Sequence, residues 1–278
     1  MIDPTGVLLS ATLAGVVAIG ASVAVERWGG RAGGLLGTLP TTIVPAAIGI
    51  AAGSPDPAAF QDAMFATPAG MLVNALFLWT WRVLPPRLPG DGVASRLGLM
   101  VAASLSVWGV AAALSVAALT AVARVPLPRG TFAVALTVAL VGVGAMACRR
   151  APPSPKGRRA VRLPALLSRG LLAAAAIGVA VALAGVGGPL AAGMAAVFPA
   201  IFLTTMVSLW LSQGEAVQVG AVGPMMLGSG SVSAFAVIAA WTVPAWGVGA
   251  GAAAAWAAAV GLVTVPAWWW LGRGRAQG

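Results

Sequence analysis

The sequence predicts an all-α polytopic membrane protein with about nine transmembrane helices, and two observations lead to this fold class. Of its 278 residues 60% are hydrophobic and only 8% are charged, whereas soluble domains carry roughly 25% charged residues. Apolar stretches that could cross a hydrocarbon core of ~30 Å also recur along the whole chain. A water-facing surface could not be covered with so few charges, so the lipid bilayer is the expected surrounding of most of the chain.

Nine segments are apolar and long enough to be predicted as spans. Proline removes a backbone donor and clashes with the preceding turn of a helix. We therefore expect the second span to be broken near Pro40 and Pro45. The predicted spans are residues 7–25, 34–51, 64–84, 97–123, 131–148, 166–184, 190–211, 216–241 and 244–271.

The basic residues support this count and predict an orientation. With nine spans, all sixteen Lys and Arg residues except Arg124 and Arg129 fall on one side. The positive-inside rule places that side in the cytoplasm, with the N-terminus outside. Adding or removing one span would mix the two sides. The net charge of +10 is thus interpreted as a topology signal rather than as a nucleic-acid surface. The excess of Arg over Lys and the many Ala, Gly, Val and Pro residues are typical of a high-GC bacterial genome, so the membrane is expected to be a bacterial inner membrane.

Weak internal similarity predicts two related halves. The segment GGRAGGLLGTLPTTIVPAAIG resembles GGPLAAGMAAVFPAIFLTTM when Pro40 is set against Pro199. The segments that follow resemble each other when Pro68 is set against Pro224. A chance match between Ala- and Gly-rich helices is the alternative, and it stays open.

If the halves are related, their relative orientation follows from the span count. Four helices in residues 1–124 would match four in residues 166–278, with a linker helix and a basic cytoplasmic loop in residues 125–165. An odd number of crossings separates matching helices, so the second half would be inverted in the membrane. Many secondary transporters have this architecture, and they bind solutes near the midplane where helices are broken.

The candidate site follows from the expected breaks. We expect Pro40, Pro68, Pro199 and Pro224 to break helices and to free backbone groups for a solute. Close helix packing accounts for small and hydroxyl residues equally well, and this alternative stays open. The candidate substrate-binding residues are Thr41, Thr42, Asn74, Thr204, Thr205, Gln218, Ser229 and Ser231.

Glu215 is the candidate coupling residue, because a carboxylate in a span is costly unless it carries a proton, binds a cation or has a partner. Its place near the end of a predicted span is also compatible with plain solvation. The chain has no histidine, and Cys148 is its single cysteine. The commonest transition-metal ligands and general base are therefore missing or nearly so, and we expect no metal, no cofactor and no catalytic residue.

The predicted function is that of an inner-membrane secondary transporter that works by alternating access between two inverted halves. Hydroxyl and amide side chains suit a small organic solute, and glycine-rich helix N-termini suit an anion. The alternatives are a channel or passive facilitator, and a structural membrane subunit of a larger complex. No nucleic-acid partner is expected, and assembly into a homo-oligomer is left open.

Overall fold

The computed structural model describes residues 38–122, 128–149 and 188–273 continuously, together with scattered positions between 8 and 35 and between 167 and 178. These residues form helices and no strand. The predicted first and sixth spans, and the basic loop after the fifth, lie largely outside them. In the described part six helices are long and apolar enough to cross a membrane: Pro57–Val83, Val93–Ala121, Arg129–Arg149, Gly188–Leu211, Gln218–Trp246 and Val248–Gly272.

These six correspond to the predicted third, fourth, fifth, seventh, eighth and ninth spans, so an all-α fold with several helices of membrane-spanning length is confirmed. A 3₁₀ turn, Pro85–Arg87, follows the helix that ends at Val83. A π-helical turn, Val260–Thr264, precedes the helix that begins at Val265. The helices are α1 (Ile43–Gly53), α2 (Pro57–Val83), α3 (Val93–Val122), α4 (Arg129–Arg149), α5 (Gly188–Ala195), α6 (Ala200–Gln213), α7 (Glu215–Trp246), α8 (Val248–Ala259) and α9 (Val265–Arg273).

Local sequence determines where α2 begins and where α7 ends. At the start of α2 the Asp56 carboxylate accepts a hydrogen bond from Ala59 N at 2.8 Å, and Pro57 occupies the first turn, where no N–H donor is needed. At the end of α7, Gly247 has φ +80°, a conformation that glycine adopts without strain. The predicted boundary between the eighth and ninth spans, at Trp241 and Pro244, is therefore wrong, because α7 continues through both residues.

Two of the predicted helix breaks also need correction. Pro68 lies inside α2 and Pro224 lies inside α7, and both helices continue through them. A proline removes one hydrogen bond from a helix, but packing on all sides can hold the helix together across the gap. Beside Pro68, the Thr67 hydroxyl donates to Ala63 O at 3.2 Å and adds a bond within the helix.

Contacts along the helices establish their relative directions. The rings of Phe65 on α2 and Trp241 on α7 lie 5.1 Å apart, whereas Gln218 Nε2 on α7 donates to Trp81 O on α2 at 3.1 Å. Early residues of α2 therefore meet late residues of α7, and the two helices run antiparallel. They pack at the centre of the bundle, with 72% and 83% of their apolar stretches buried.

Helices α2 and α4 run parallel, as the contacts at their two ends indicate. Asp62 pairs with Arg129 at one end, and Arg82 donates to Ala147 O at 2.9 Å at the other. Arg149 lies 5.9 Å from the Trp270 ring, which brings α9 to the same end as Arg82. We call the end that carries Arg82 and Arg149 the basic end of the bundle, and the end with Asp62 the opposite end.

Candidate functional site

The candidate site is built on two interruptions in the helices. The first comprises residues 38–42, between the helical Leu35 and α1, and the second comprises residues 196–199, between α5 and α6. Pro40 lies in the first break and Pro199 lies in the second. Neither α1 nor α6 has a side-chain hydrogen bond that caps its N-terminus.

Two backbone hydrogen bonds have the same pattern in both breaks. In each, the residue after the proline donates to the residue before it: Thr41 N to Leu39 O at 2.7 Å, and Ala200 N to Phe198 O at 2.8 Å. In each, the residue two places before the proline donates to the residue five places before it. These bonds are Thr38 N to Leu35 O at 3.2 Å and Val197 N to Met194 O at 3.3 Å.

Each break is also held by the long helix that packs on it from the other part of the chain. Asn74 Nδ2 on α2 donates to Val197 O at 2.7 Å, and Ser231 Oγ on α7 donates to Thr38 O at 3.0 Å. Both acceptors are carbonyls two residues before the proline of a break. A freed carbonyl in an apolar surrounding needs such a partner, so α2 and α7 complete the two breaks in equivalent ways.

Glycines allow the breaks to come this close to the long helices. A Cβ on Gly228 of α7 would overlap the Thr38 hydroxyl, and a Cβ on Gly70 of α2 would overlap the Val197 side chain. Gly70 lies two residues after Pro68, and Gly228 lies four residues after Pro224. The close approach of each break therefore depends on the absence of a side chain at its glycine.

A cavity lies between the two breaks. Its empty volume is about 540 Å³, which includes the open solvent at its mouth. Met71 and Asn74 line it near the middle of α2, and Val232 lines it near the middle of α7. The cavity thus lies at mid-height in both central helices. The remaining lining residues come from the breaks and the helix starts that follow them: Thr38, Leu39, Thr42, Ile43, Ala196, Val197, Phe198, Ala200, Ile201 and Phe202.

The lining is apolar, with a few polar groups and no charged side chain among its residues. Asn74 is already engaged, because its Oδ1 accepts from Trp108 Nε1 at 2.8 Å while its amide nitrogen holds Val197 O. Asn74 therefore positions the second break more than it offers a free group to a solute. The uncapped starts of α1 and α6 both border the cavity, and N–H groups at a helix start favour an anionic or electron-rich group.

The structure brings together only part of the predicted site. Thr42 and Asn74 line the cavity, and Ser231 contacts Thr38, which also lines it. Thr41 is half-buried beside the cavity and is not part of its lining.

The other predicted binding residues are buried outside the cavity lining. Thr204 donates within α6 to Ala200 O at 2.8 Å, and its neighbour Thr205 is buried on the same helix. Ser229 donates to Met226 O within α7 at 2.7 Å, and Gln218 reaches Trp81 at the basic end. For Thr204 and Ser229 these bonds fit the alternative reading, in which hydroxyls serve helix packing.

Glu215 lies at the first position of α7, at the basic end and outside the cavity lining. Its two carboxylate oxygens accept from Arg96 Nε at 2.9 Å and Arg96 Nη2 at 3.0 Å. The pair is bidentate and joins the start of α3 to the start of α7. Glu215 is therefore neither a lone carboxylate in the membrane nor simply solvated.

Sequence reasoning missed several residues of the site. Thr38 lies two residues before Pro40 and Phe198 lies directly before Pro199, so a search of both flanks of these prolines could have found them. Trp108 and Arg96 lie on α3, and nothing in the sequence signals that they reach Asn74 and Glu215. Among the described residues no group of three or more His, Cys, Asp or Glu side chains is placed to hold a metal ion.

No known protein family, no curated protein and no solved structure matches this chain.

Proposed function

We propose that the protein is a secondary transporter of the bacterial inner membrane that carries a small organic solute or anion. In this proposal two inverted halves work by alternating access, with the N-terminus outside and the C-terminus in the cytoplasm. The observation that carries the proposal is the cavity between two helix breaks of matching hydrogen-bond pattern, at mid-height in α2 and α7. Transporter sites are built in this way, from interrupted helices at the bilayer midplane.

The antiparallel packing of α2 and α7 supports the inverted repeat. In the sequence alignment, Pro68 of α2 is opposite Pro224 of α7, and the helices run in opposite directions. Each also holds the break of the other half, through Asn74 and Ser231. Two equivalent halves can exchange conformations, which would open the cavity first to one side and then to the other.

The lining determines the expected class of solute. A strongly charged cation would find no carboxylate among the lining residues, and burying it unpaired would be costly. The starts of α1 and α6 offer backbone N–H groups, and Thr42 offers a hydroxyl. A small molecule with one anionic or electron-rich group and an apolar body, packed against Met71 and Phe202, suits these surroundings best.

A thermal-stability screen of the purified protein tests the proposal. Small carboxylates, inorganic anions, amino acids, sugars and nucleosides would be added one at a time, and hits would be tested for uptake into proteoliposomes. A ligand at 100 times its dissociation constant stabilises the folded state by about 2.7 kcal/mol. We expect at least one stabilising solute, with saturable uptake.

Thr42→Val is the variant that connects such binding to the cavity, since it removes the hydroxyl and keeps the shape. We expect it to weaken the stabilisation by the solute. Thr137→Val is its control, because the Thr137 hydroxyl donates to Ala133 O within α4, at 2.9 Å, and is not among the lining residues. Uptake that does not saturate would favour a channel. No stabilising solute, with a stoichiometric protein retained through purification, would favour a structural subunit.

A further inference from the structure

We propose that Trp81, Gln218 and the Arg96–Glu215 ion pair form a gate that closes the cavity at the basic end of the bundle. The inference rests on the proposed transport function and identifies the residues that would separate when the cavity opens to that end. Trp81 and Arg96 belong to the N-terminal half, whereas Gln218 and Glu215 belong to the C-terminal half. The gate thus lies between the two parts that alternating access must move apart.

The inner layer of the gate is made of large buried side chains. Trp81 lies two helical turns beyond Asn74 on α2, which is about 10 Å towards the basic end. Its side chain is fully buried, and its ring packs edge-on against Trp210 of α6, with 6.0 Å between the ring centroids. Phe77, one turn closer to the cavity, is also fully buried, and its ring centroid lies 6.2 Å from that of Trp81. These buried rings lie between the part of α2 that lines the cavity and the basic end.

One polar contact lies within this apolar layer, and two polar atoms of the residues that form it have no hydrogen-bond partner among the described residues. Gln218 Nε2 donates to Trp81 O at 3.1 Å, yet Gln218 Oε1 and Trp81 Nε1 have no hydrogen-bond partner in the described part of the chain. Both residues are 0% exposed. A buried donor or acceptor without a partner destabilises the state in which it is buried. The closed layer therefore carries a cost that opening to water would remove.

The outer layer is a latch centred on Arg96. Besides its two bonds to Glu215, its guanidinium donates to three backbone carbonyls of the connection between α2 and α3. These acceptors are Pro85 O at 2.8 Å, Leu88 O at 2.7 Å and Gly90 O at 3.1 Å. One arginine thus joins the α2–α3 connection to the first residue of α7.

The latch offsets the free-energy cost of the unpaired polar atoms in the inner layer. A bidentate arginine–carboxylate pair is among the stronger polar contacts in proteins. Here it holds the start of α7, the helix of Gln218, to Arg96 of α3 and through Arg96 to the connection that follows α2, the helix of Trp81. Capture of a cation by the Glu215 carboxylate would compete with Arg96 and release it. The predicted coupling role of Glu215 would then act through the gate and not through contact with the solute.

Cysteine labelling in sealed membrane vesicles tests the gate without any knowledge of the solute. The reporter is Thr42→Cys, which places a thiol in the cavity, in a Cys148→Ser background. Asp91→Cys, in the exposed loop at the basic end, identifies the vesicle preparation that presents this end to a membrane-impermeant thiol reagent. In that preparation we expect Glu215→Ala to raise the labelling rate of the reporter about tenfold or more, because it removes the carboxylate that holds Arg96.

Asp62→Asn is the matched control. It breaks an ion pair too, but Asp62 and Arg129 lie at the opposite end, and both belong to residues before the linker loop. An unchanged labelling rate in Glu215→Ala, with folding verified by thermal melting, would overturn the gate. An equal increase in Asp62→Asn would also overturn it, since it would mean general loosening. The solute screen reports on the transport function separately, so failure of either proposal can be told from failure of the other.

Discussion

Asn74 and Val197 are 123 residues apart in sequence, and a hydrogen bond of 2.7 Å joins the side chain of the first to the carbonyl of the second. Both are buried. The bond holds the second helix break against α2. Trp108 Nε1 donates to the oxygen of the same Asn74 amide. The shape of the cavity therefore depends on one asparagine that touches both α3 and the break.

The first prediction concerns this asparagine. Asn74→Ala leaves Val197 O and Trp108 Nε1 without their partner, and each buried group left unsatisfied costs about 1–3 kcal/mol. We expect a lower melting temperature and weaker stabilisation by any solute of the cavity. Ser104→Ala is the control, since Ser104 is buried and its hydroxyl donates only to Val101 O of its own helix, at 3.1 Å. Equal melting temperatures for the two variants would contradict the prediction.

The second prediction compares two serines on the same helix. Ser229 and Ser231 are both fully buried, and each donates to a carbonyl of α7 at 2.7 Å. Of the two, Ser231 also shares its hydroxyl proton with a second acceptor, Thr38 O in the first break, at 3.0 Å. We expect Ser231→Ala to destabilise the protein by about 1 kcal/mol more than Ser229→Ala does. Thermal unfolding of both variants in the same detergent measures the difference, and a larger loss in Ser229→Ala would be inconsistent with the bridging role of Ser231.

The third prediction concerns the close approach at Gly228. A Cβ there would overlap the Thr38 hydroxyl and lie 3.0 Å from Leu35 Cδ1 and Thr38 Cβ, so Gly228→Ala forces the Thr38 side chain to turn or the first break to move away from α7. We expect a loss of about 1–3 kcal/mol, as for other overpacked sites. Gly142→Ala on α4 is the comparison, because a Cβ at Gly142 would meet nothing within 4 Å. There we expect no loss, or a gain of up to about 1 kcal/mol from the better helix former. Unfolding temperatures of the two variants that change in the same direction would refute the argument.

The sequence predicts the helical class and most span positions well, because long apolar stretches leave few alternatives in a membrane. It does not predict which prolines interrupt a helix. Pro40 and Pro199 lie in breaks, whereas Pro68 and Pro224 lie in continuous helices. The residue type is the same in all four places, and the outcome depends on packing around the gap, which involves residues far away in sequence.

Long-range polar partners are hidden from the sequence for a related reason. Glu215 was predicted as a coupling residue or a solvated helix end, and its partner Arg96 is 119 residues away. The positive-inside pattern uses Arg96 as a topology signal, which says nothing about the direction of its side chain. The alignment of Pro40 with Pro199, in contrast, places the matching hydrogen bonds of the two breaks in register.

The last prediction concerns topology. The described helix directions place the connection between α2 and α3 at the basic end, and they place the start of α2 and the turn between α7 and α8 at the opposite end. Single cysteines at Ala58, Asp91 and Val248, all exposed, can report this in intact cells when a membrane-impermeant thiol reagent is used.

We expect Ala58→Cys and Val248→Cys to react from outside the cell, and Asp91→Cys to react only after the membrane is opened. The physical reason is that anionic lipid headgroups and the insertion machinery retain Arg-rich connections in the cytoplasm. Leu211→Cys, at the exposed end of α6, adds the test of inversion. It should behave like Asp91→Cys and unlike Ala58→Cys, since the helices after the two breaks must end on opposite sides. If Leu211→Cys and Ala58→Cys reacted from the same side, the two halves could not be inverted copies, and alternating access would need another structural basis.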